Sequence, residues 1–214
     1  MKTTILFDLD GTLLNTLDDL ADAVNYALES LGYPAHSTDV IRQYVGNGIA
    51  KLIERAIPEG LDNPDYKKCY DCFVEYYGEH SRVKTDLYPG IRDLLPQLAQ
   101  KGVKLAVVTN KLQEASDTLA MDFFNPYITV IVGDAPGRNK KPHPDGVNEA
   151  IRQLNVTDKS QVLYIGDSDV DAMTAINSDI DYLLCLWGFR SYEQLSKYKP
   201  LAFINEPSDI LKYI

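Results

Sequence analysis

Ile5-Leu6-Phe7-Asp8-Leu9-Asp10-Gly11-Thr12 is an apolar run that ends in two aspartates one residue apart, followed at once by a glycine. Consecutive apolar side chains from Ile5 to Phe7 read as a strand buried on both faces, the state of a central parallel strand. Gly11 lets the backbone turn where a side chain would obstruct it. Carboxylates at the C-terminal end of such a strand stand where open α/β sheets place their ligands. They suit a divalent cation bound through oxygen, or a division of nucleophilic and acid/base roles. The bland alternative is a polar strand end followed by a turn.

Outward from that stretch, the pattern first turns helical. Leu17, Leu20, Ala21, Val24, Leu28 and Leu31 recur with helical period until Gly32-Tyr33-Pro34. Thr38 is placed to cap a short helix that ends before Val45-Gly46-Asn47-Gly48, and helical spacing resumes over 49–57. Asn63-Pro64 predicts an N-cap with proline at the first helical position, opening a helix to about Tyr77. Beyond Tyr88 the pattern alternates. Strands are expected over 103–108, 128–132, 162–165, 182–186 and 201–204. Helices are expected over 91–100, with Pro96 kinking it or marking a later start, and over 113–123, 145–154 and 169–177, with a last helix capped by Ser208. Alternating units of this kind imply α/β architecture, a doubly wound parallel sheet of Rossmann-like form with helices on both faces. The expected division is an α/β core of residues 1–15 and 82–214, interrupted by an all-helical insertion over 16–81.

Composition narrows the functions available. Hydrophobic residues make up 45% of 214, enough for a sizeable core, which makes disorder untenable. The net charge of −10, from 31 acidic against 21 basic residues, argues against nucleic acid as a partner, since phosphate-backbone binding needs clustered Lys and Arg. A small anionic substrate stays compatible, because a local positive site or a metal outweighs the global field. No apolar run is long enough to span a bilayer, and the N-terminal apolar stretch ends in aspartates rather than in a cleavage site, so no membrane partner is expected. Cys69 and Cys72 form a C-x-x-C, but with Cys185 the only other cysteine a four-cysteine zinc site is impossible in one chain. Their helical spacing with Tyr66, Tyr70, Phe73 and Tyr77 reads as apolar helix positions. An odd cysteine count of 3 favours a reducing cytoplasm over a disulfide framework. The expected assembly is a monomer or a homodimer.

Three further strand ends carry polar residues. The strand over 103–108 runs into Thr109-Asn110-Lys111, where a hydroxyl and exposed backbone N–H groups can hydrogen-bond phosphate oxygens. Lys141, between Lys140 and Pro142, is a cation fixed on a rigid turn that can neutralise phosphoryl and carboxylate charge, whereas Arg138 and Lys140 read as a solvated loop. His143 reads as a loop histidine rather than a metal ligand. Gly166-Asp167-Ser168-Asp169-Val170-Asp171 fails as a calcium loop, because Ala172 stands where that loop needs glycine and Ser178 where it needs glutamate. A strand followed by Gly-Asp and a helix is better explained by a metal site, with Asp167 aimed at the cation and Asp171 buttressing it a turn later. Asp169 receives no role.

Asp8-Leu-Asp10-Gly-Thr, Thr109-Asn110, Lys141-Pro and Gly166-Asp167-x-x-x-Asp171, in that order and each at a strand end, resemble the four motifs of the haloacid dehalogenase superfamily. The helical insertion is similar to the small cap of its phosphoglycolate phosphatase-like branch, whose cap loop Val45-Gly46-Asn47-Gly48 matches and in which Trp187-Gly188 is common. Asn15 stands where many members carry aspartate, and Asn177-Ser178-Asp179-Ile180-Asp181 replaces a turn usually rich in alanine and glycine. The resemblance implies a Mg²⁺-dependent phosphatase for a small phosphorylated metabolite, with 2-phosphoglycolate the leading candidate. Asp8 would be the nucleophile that forms an aspartyl-phosphate and Asp10 the acid and base. The cation would fall to Asp8, the Asp10 main-chain carbonyl and Asp167, with Asp171 orienting them. Thr109, Asn110 and Lys141 would hold the phosphoryl oxygens. Gly11 joins them on the core side, and Gly46, Asn47 and Gly48 are the candidate substrate contacts of a cap that closes over the site. Asp10 disfavours halide displacement, because the dehalogenases lack it. Pyrophosphatase, sugar-phosphate phosphatase and phosphomutase readings use the same core. A regulatory protein that binds phosphate ligands without turnover is the non-enzyme alternative.

Overall fold

The alternation of apolar strands with amphipathic helices is realised in the computed structural model, which describes all 214 residues. The strands are β1 (Thr4–Phe7), β2 (Leu14–Asn15), β3 (Asp86–Leu87), β4 (Lys104–Leu112), β5 (Val130–Asp134), β6 (Val162–Gly166), β7 (Asp181–Cys185) and β8 (Ala202–Ile204). Six form one parallel sheet in the order β5-β4-β1-β6-β7-β8, while β2 and β3 pair as a separate ribbon. The helices are α1 (Leu17–Ser30), α2 (Thr38–Tyr44), α3 (Ile49–Ala56), α4 (Tyr66–His80), α5 (Ile91–Gln100), α6 (Gln113–Phe123), α7 (Asp145–Gln153), α8 (Asp169–Ser178) and α9 (Tyr192–Leu195).

Strand β1 lies between β4 and β6, and its side chains alternate between two cores. Ile5 and Phe7 face a core completed by Leu94, Leu95 and Leu98 of α5 and Leu119 of α6. Leu6 faces the opposite core, with Val147, Ala150 and Ile151 of α7 and Ala172 and Ala175 of α8. A strand covered on both sides must be apolar throughout, which is why Ile5-Leu6-Phe7 shows no alternation. Phe7 is level with Val107 and Ile165, so the residues that follow all three strands emerge at one edge of the sheet. The strand order also reverses around β1, the position at which open α/β sheets form a ligand crevice.

The chain packs as two compact units, Met1–Leu14 with Leu87–Ile214, and Asn15–Asp86. The second unit is helical. In it α1 packs on α4 and α2, and α3 packs on α2 and α4, burying Leu20, Val24, Ile41, Leu52, Ile53 and Phe73. Asp19 of α1 is buried and accepts the backbone N–H groups of Lys84 and Thr85 at 2.9 Å each, which ties the end of this unit to its first helix.

Several expected boundaries move. Ser37, not Thr38, caps α2 by accepting from the Val40 N–H. Asn63-Pro64 does not open α4, which starts at Tyr66, because the Asn63 side chain instead accepts from the Asp65 N–H at 2.8 Å and holds a turn. Pro96 marks no later start, since α5 already begins at Ile91 behind Gly90 at φ 90°. The terminal helix is a 3₁₀ helix, Pro207–Tyr213, capped by Glu206 rather than Ser208.

Candidate active site

Strand β1 delivers Asp8 straight from its last ladder bond, the Asp8 N–H donating to the Ile165 carbonyl at 2.8 Å. Asp8 is buried, its side chain 12% exposed, and its Oδ1 accepts from the Leu9 N–H and from Lys141 Nζ, each at 2.7 Å. The same ammonium donates to Asp171 Oδ1 at 2.7 Å and to the Tyr164 hydroxyl at 3.0 Å. Asp171 lies in the first turn of α8 and is fully buried. Its Oδ2 accepts from the backbone N–H groups of Asp167 and Ser168 and from the Ser168 hydroxyl, a capping box that starts the helix. Both of its oxygens are thereby occupied by protein donors, so Asp171 organises Lys141 and the Asp167 backbone.

Asp167 follows β6 and is 1% exposed. Its Oδ2 accepts from the Phe189 N–H at 2.6 Å, and Thr12 Oγ1 donates to its Oδ1 at 3.4 Å. Space for it is made by two glycines. A Cβ on Gly11, which sits at φ 91°, would run into the Asp167 carboxylate, and a Cβ on Gly188 would collide with Asp167 and the Gly11 carbonyl. The Gly11 N–H itself donates to the Leu14 carbonyl at 2.9 Å. Trp187 Nε1 donates to the Thr12 carbonyl at 3.0 Å, so Trp187-Gly188-Phe189 brackets the β1 turn against Asp167.

Strand β4 departs from regular pairing at the same edge. Val108 is level with Val132, but Leu112 is level with Asp134, so the β4 side carries extra residues between those pairs. Such a bulge re-aims side chains that would otherwise alternate, and Thr109, Asn110 and Lys111 are all buried. Gly133 of β5 accommodates it, because a Cβ there would meet the Lys111 carbonyl at 2.8 Å. Asn110 holds Lys141 in both directions: its Oδ1 accepts from the Lys141 N–H at 2.7 Å, and its Nδ2 donates to the Lys141 carbonyl at 3.1 Å. Thr109 Oγ1 accepts from the Lys111 N–H at 3.2 Å. Lys111 Nζ then reaches Asp10, at 3.1 and 3.4 Å from its two oxygens. The sequence reading gave Lys111 no role. Its only signal is a third successive polar residue after the apolar run Leu105-Ala106-Val107-Val108.

Charge accounts for the behaviour of the cluster. Burial, then Asp171 and Asp167, push the Asp8 carboxyl well above the usual carboxylate range against the pull of Lys141. Asp167 is pushed up to about 7 by burial and Asp171, with the Phe189 N–H opposing. Burial also works against ionisation of Asp171, but Lys141, Ser168 and Tyr164 outweigh it and hold its carboxyl below that range. Burial likewise opposes the Lys141 charge, and Asp171 and Asp8 overcome it, keeping the ammonium protonated. Asp8 and Asp171 share one lysine yet move in opposite directions, because Asp171 collects five donors and Asp8 two. The cluster is therefore short of positive charge at Asp8 and Asp167. Ligand oxygens of Asp8, Asp167 and Asp171 lie within 4.8 Å of one another, and an all-oxygen donor set with excess negative charge fits a hard divalent cation.

Gly46, Asn47 and Gly48 belong to the helical unit. There Gly46 and Gly48 adopt φ 120° and 81°, and Arg55 fixes the loop by donating to the Tyr44 carbonyl at 2.7 Å and to Asn47 Oδ1 at 2.8 Å. His143 pairs with Asp145 at 3.0 Å on the surface, and Lys140 with Asp134 at 2.8 Å. All three cysteines are free, and burial, with a smaller push from Cys72, raises the Cys69 thiol to about 11, which leaves it unreactive. No helix is long and apolar enough to cross a membrane.

Residues 5–185 match the family described as haloacid dehalogenase-like hydrolase. A phosphoglycolate phosphatase of Aquifex aeolicus (strain VF5) is 34% identical over 210 residues, covering 97% of this chain and 94% of that protein. One from Colwellia psychrerythraea (strain 34H) is 35% identical, covering 93% of this chain and 91% of that one. Among solved structures, a Lactobacillus delbrueckii subsp. bulgaricus protein provisionally named as a phosphoglycolate phosphatase superposes with a TM-score of 0.95 at 34% identity, covering 100% of this chain and 99% of its own.

Proposed function

The chain belongs to the haloacid dehalogenase-like hydrolases and is a phosphoric monoester hydrolase; from that premise we propose that it cleaves 2-phosphoglycolate with Mg²⁺ through an aspartyl-phosphate on Asp8. The observation that carries this reading is the convergence of Asp8, Asp10, Thr109 and Asp167 at one edge of the adjacent strands β1, β4 and β6, with Lys141 brought onto Asp8 from the loop between β5 and α7. Asp8 Oδ1 is anchored by Leu9 and Lys141, which leaves Oδ2 to attack phosphorus. The new Asp8–phosphorus bond forms as the bond to the leaving oxygen breaks, and Asp10 gives that oxygen a proton. Asp10 then takes a proton from the water that attacks the acyl phosphate, releasing inorganic phosphate and restoring Asp8. One carboxylate cannot serve both as nucleophile and as acid, which explains the pair.

Asp8, the Asp10 main-chain carbonyl and Asp167 would hold the Mg²⁺. When bound, the cation offsets the repulsion between carboxylate nucleophile and phosphate dianion. Lys141 supplies the fixed charge on the protein side, and Thr109 with the backbone N–H groups around Asn110 grips the phosphoryl oxygens. The Asn110 side chain serves that grip by clamping Lys141. Asn15–Asp86 is proposed as the cap, with Gly46, Asn47 and Gly48 as its substrate contacts and a reducing cytoplasm as the compartment.

The test is phosphate release from 2-phosphoglycolate, pyrophosphate and a panel of sugar phosphates, each with Mg²⁺ or EDTA. Release that is fastest from 2-phosphoglycolate and abolished by EDTA is expected. Fastest release from pyrophosphate or a sugar phosphate reassigns the substrate, and a sugar phosphate that is isomerised without release indicates a mutase.

A further inference from the structure

Each aspartate at the end of β1 has its own buried lysine. Lys141, shared with Asp171, pairs with Asp8, the nucleophile of the proposed reaction, and Lys111 pairs with Asp10, its acid. The Lys111 side chain is 6% exposed and the Asp10 side chain 17%, so the pair is largely withdrawn from solvent. The β4 bulge that buries Thr109, Asn110 and Lys111 together is what aims this lysine inward.

We propose that Lys111 selects the leaving group: its ammonium binds a carboxylate carried directly on the ester carbon, which makes 2-phosphoxy acids the preferred substrates. This rests on Asp10 being the acid that protonates the leaving oxygen. An acid in that role comes within hydrogen-bond reach of the oxygen, about 2.6–3.2 Å. Lys111 Nζ is itself 3.1 and 3.4 Å from the Asp10 oxygens, so whatever is attached to the leaving oxygen is delivered beside an ammonium. In a 2-phosphoxy acid one methylene separates the ester oxygen from the carboxylate, which allows a single ammonium to bridge Asp10 and the substrate. Lys141 cannot take that part, being held between Asp8, Asp171 and Tyr164. A buried cation facing the leaving group favours an anionic leaving group and gains nothing from a neutral one, since charge-assisted hydrogen bonds are the strong ones. Selection by the core surface thus works alongside whatever the helical unit contributes.

The experiment compares kcat/KM for 2-phosphoglycolate with that for 2-hydroxyethyl phosphate, which replaces the carboxylate by a neutral alcohol of similar size. Wild type is expected to favour phosphoglycolate. In Lys111→Met that preference falls by about 10- to 100-fold, carried mainly by KM, because one hydrogen bond between charged groups is lost. Lys111→Arg restores part of it, as a charge can and a methyl group cannot. Loss of activity in equal proportion on both substrates would assign Lys111 to holding Asp10 alone and overturn the proposal. So would a wild type indifferent to the carboxylate, a result that needs no variant to fold. Failure of the phosphatase reading looks different: neither monoester then releases phosphate with Mg²⁺ present.

Discussion

Asp167 is the residue at which the charge balance of the site is most open to measurement. Its carboxyl, raised to about 7 by burial and by Asp171, binds a proton in the folded protein over a range where the unfolded chain has already lost it. Without a cation, stability therefore falls as pH rises from the ordinary carboxylate value to about 7, and is level in this respect above it. A cation that takes the proton's place must displace it at low pH and finds the site already ionised at high pH. The thermal stabilisation given by a fixed concentration of Mg²⁺ is thus expected to grow from about pH 5.5 to about pH 8. An equal shift in melting temperature at both ends of that range contradicts this account. At this scale the sequence showed where Asp8, Asp10 and Asp167 lie, because a polar residue straight after an apolar strand has only one edge of the sheet to occupy. It could not show the partner of Asp10. Lys111 is one residue from Asn110, and its burial beside Asn110 goes with the register shift in β4.

Two glycine substitutions separate elements that position the site from those that merely build the fold. A methyl group at Gly188 collides with Asp167 and with the Gly11 carbonyl, so Gly188→Ala displaces Asp167, the carboxylate proposed to hold the cation, from its bracket. It is expected to weaken Mg²⁺ affinity and activity by about 10- to 100-fold, the usual cost of disturbing groups that orient a metal ligand. An unchanged Mg²⁺ titration sinks the bracket. Gly78 is its opposite: exposed, inside α4, with open space where a methyl group would stand. Gly78→Ala is expected to stabilise by about 0.5–1 kcal/mol by removing backbone freedom from the unfolded chain, read from a urea midpoint. The six strands of the sheet and helices α5 to α8 were legible from apolar runs and helical period, whereas their ends, the β2–β3 ribbon and α9 were not. Asn63 and Ser37 show why. Capping residues are interchangeable in sequence, and which of several polar neighbours takes the cap is decided by packing around it.

At the level of the whole molecule, the chain leaves the sheet after β1, builds a helical unit, and returns to place β4 and β6 on either side of its first strand. That path brings together residues separated by most of the sequence, Asp8 with Lys141 and Asp167 with Gly11. It also explains how a protein of net charge −10 handles an anion, since two buried lysines, and the cation its carboxylates suit, set the local field. The central claim is that Asp8 is the group that takes the phosphoryl. Its most direct measurement is phosphate release from 2-phosphoglycolate by wild type and by Asp8→Asn, which keeps the size of the side chain and removes the nucleophilic carboxylate. Asp8→Asn is expected to lose about 10⁴-fold or more in kcat with the fold intact. Turnover within tenfold of wild type contradicts it.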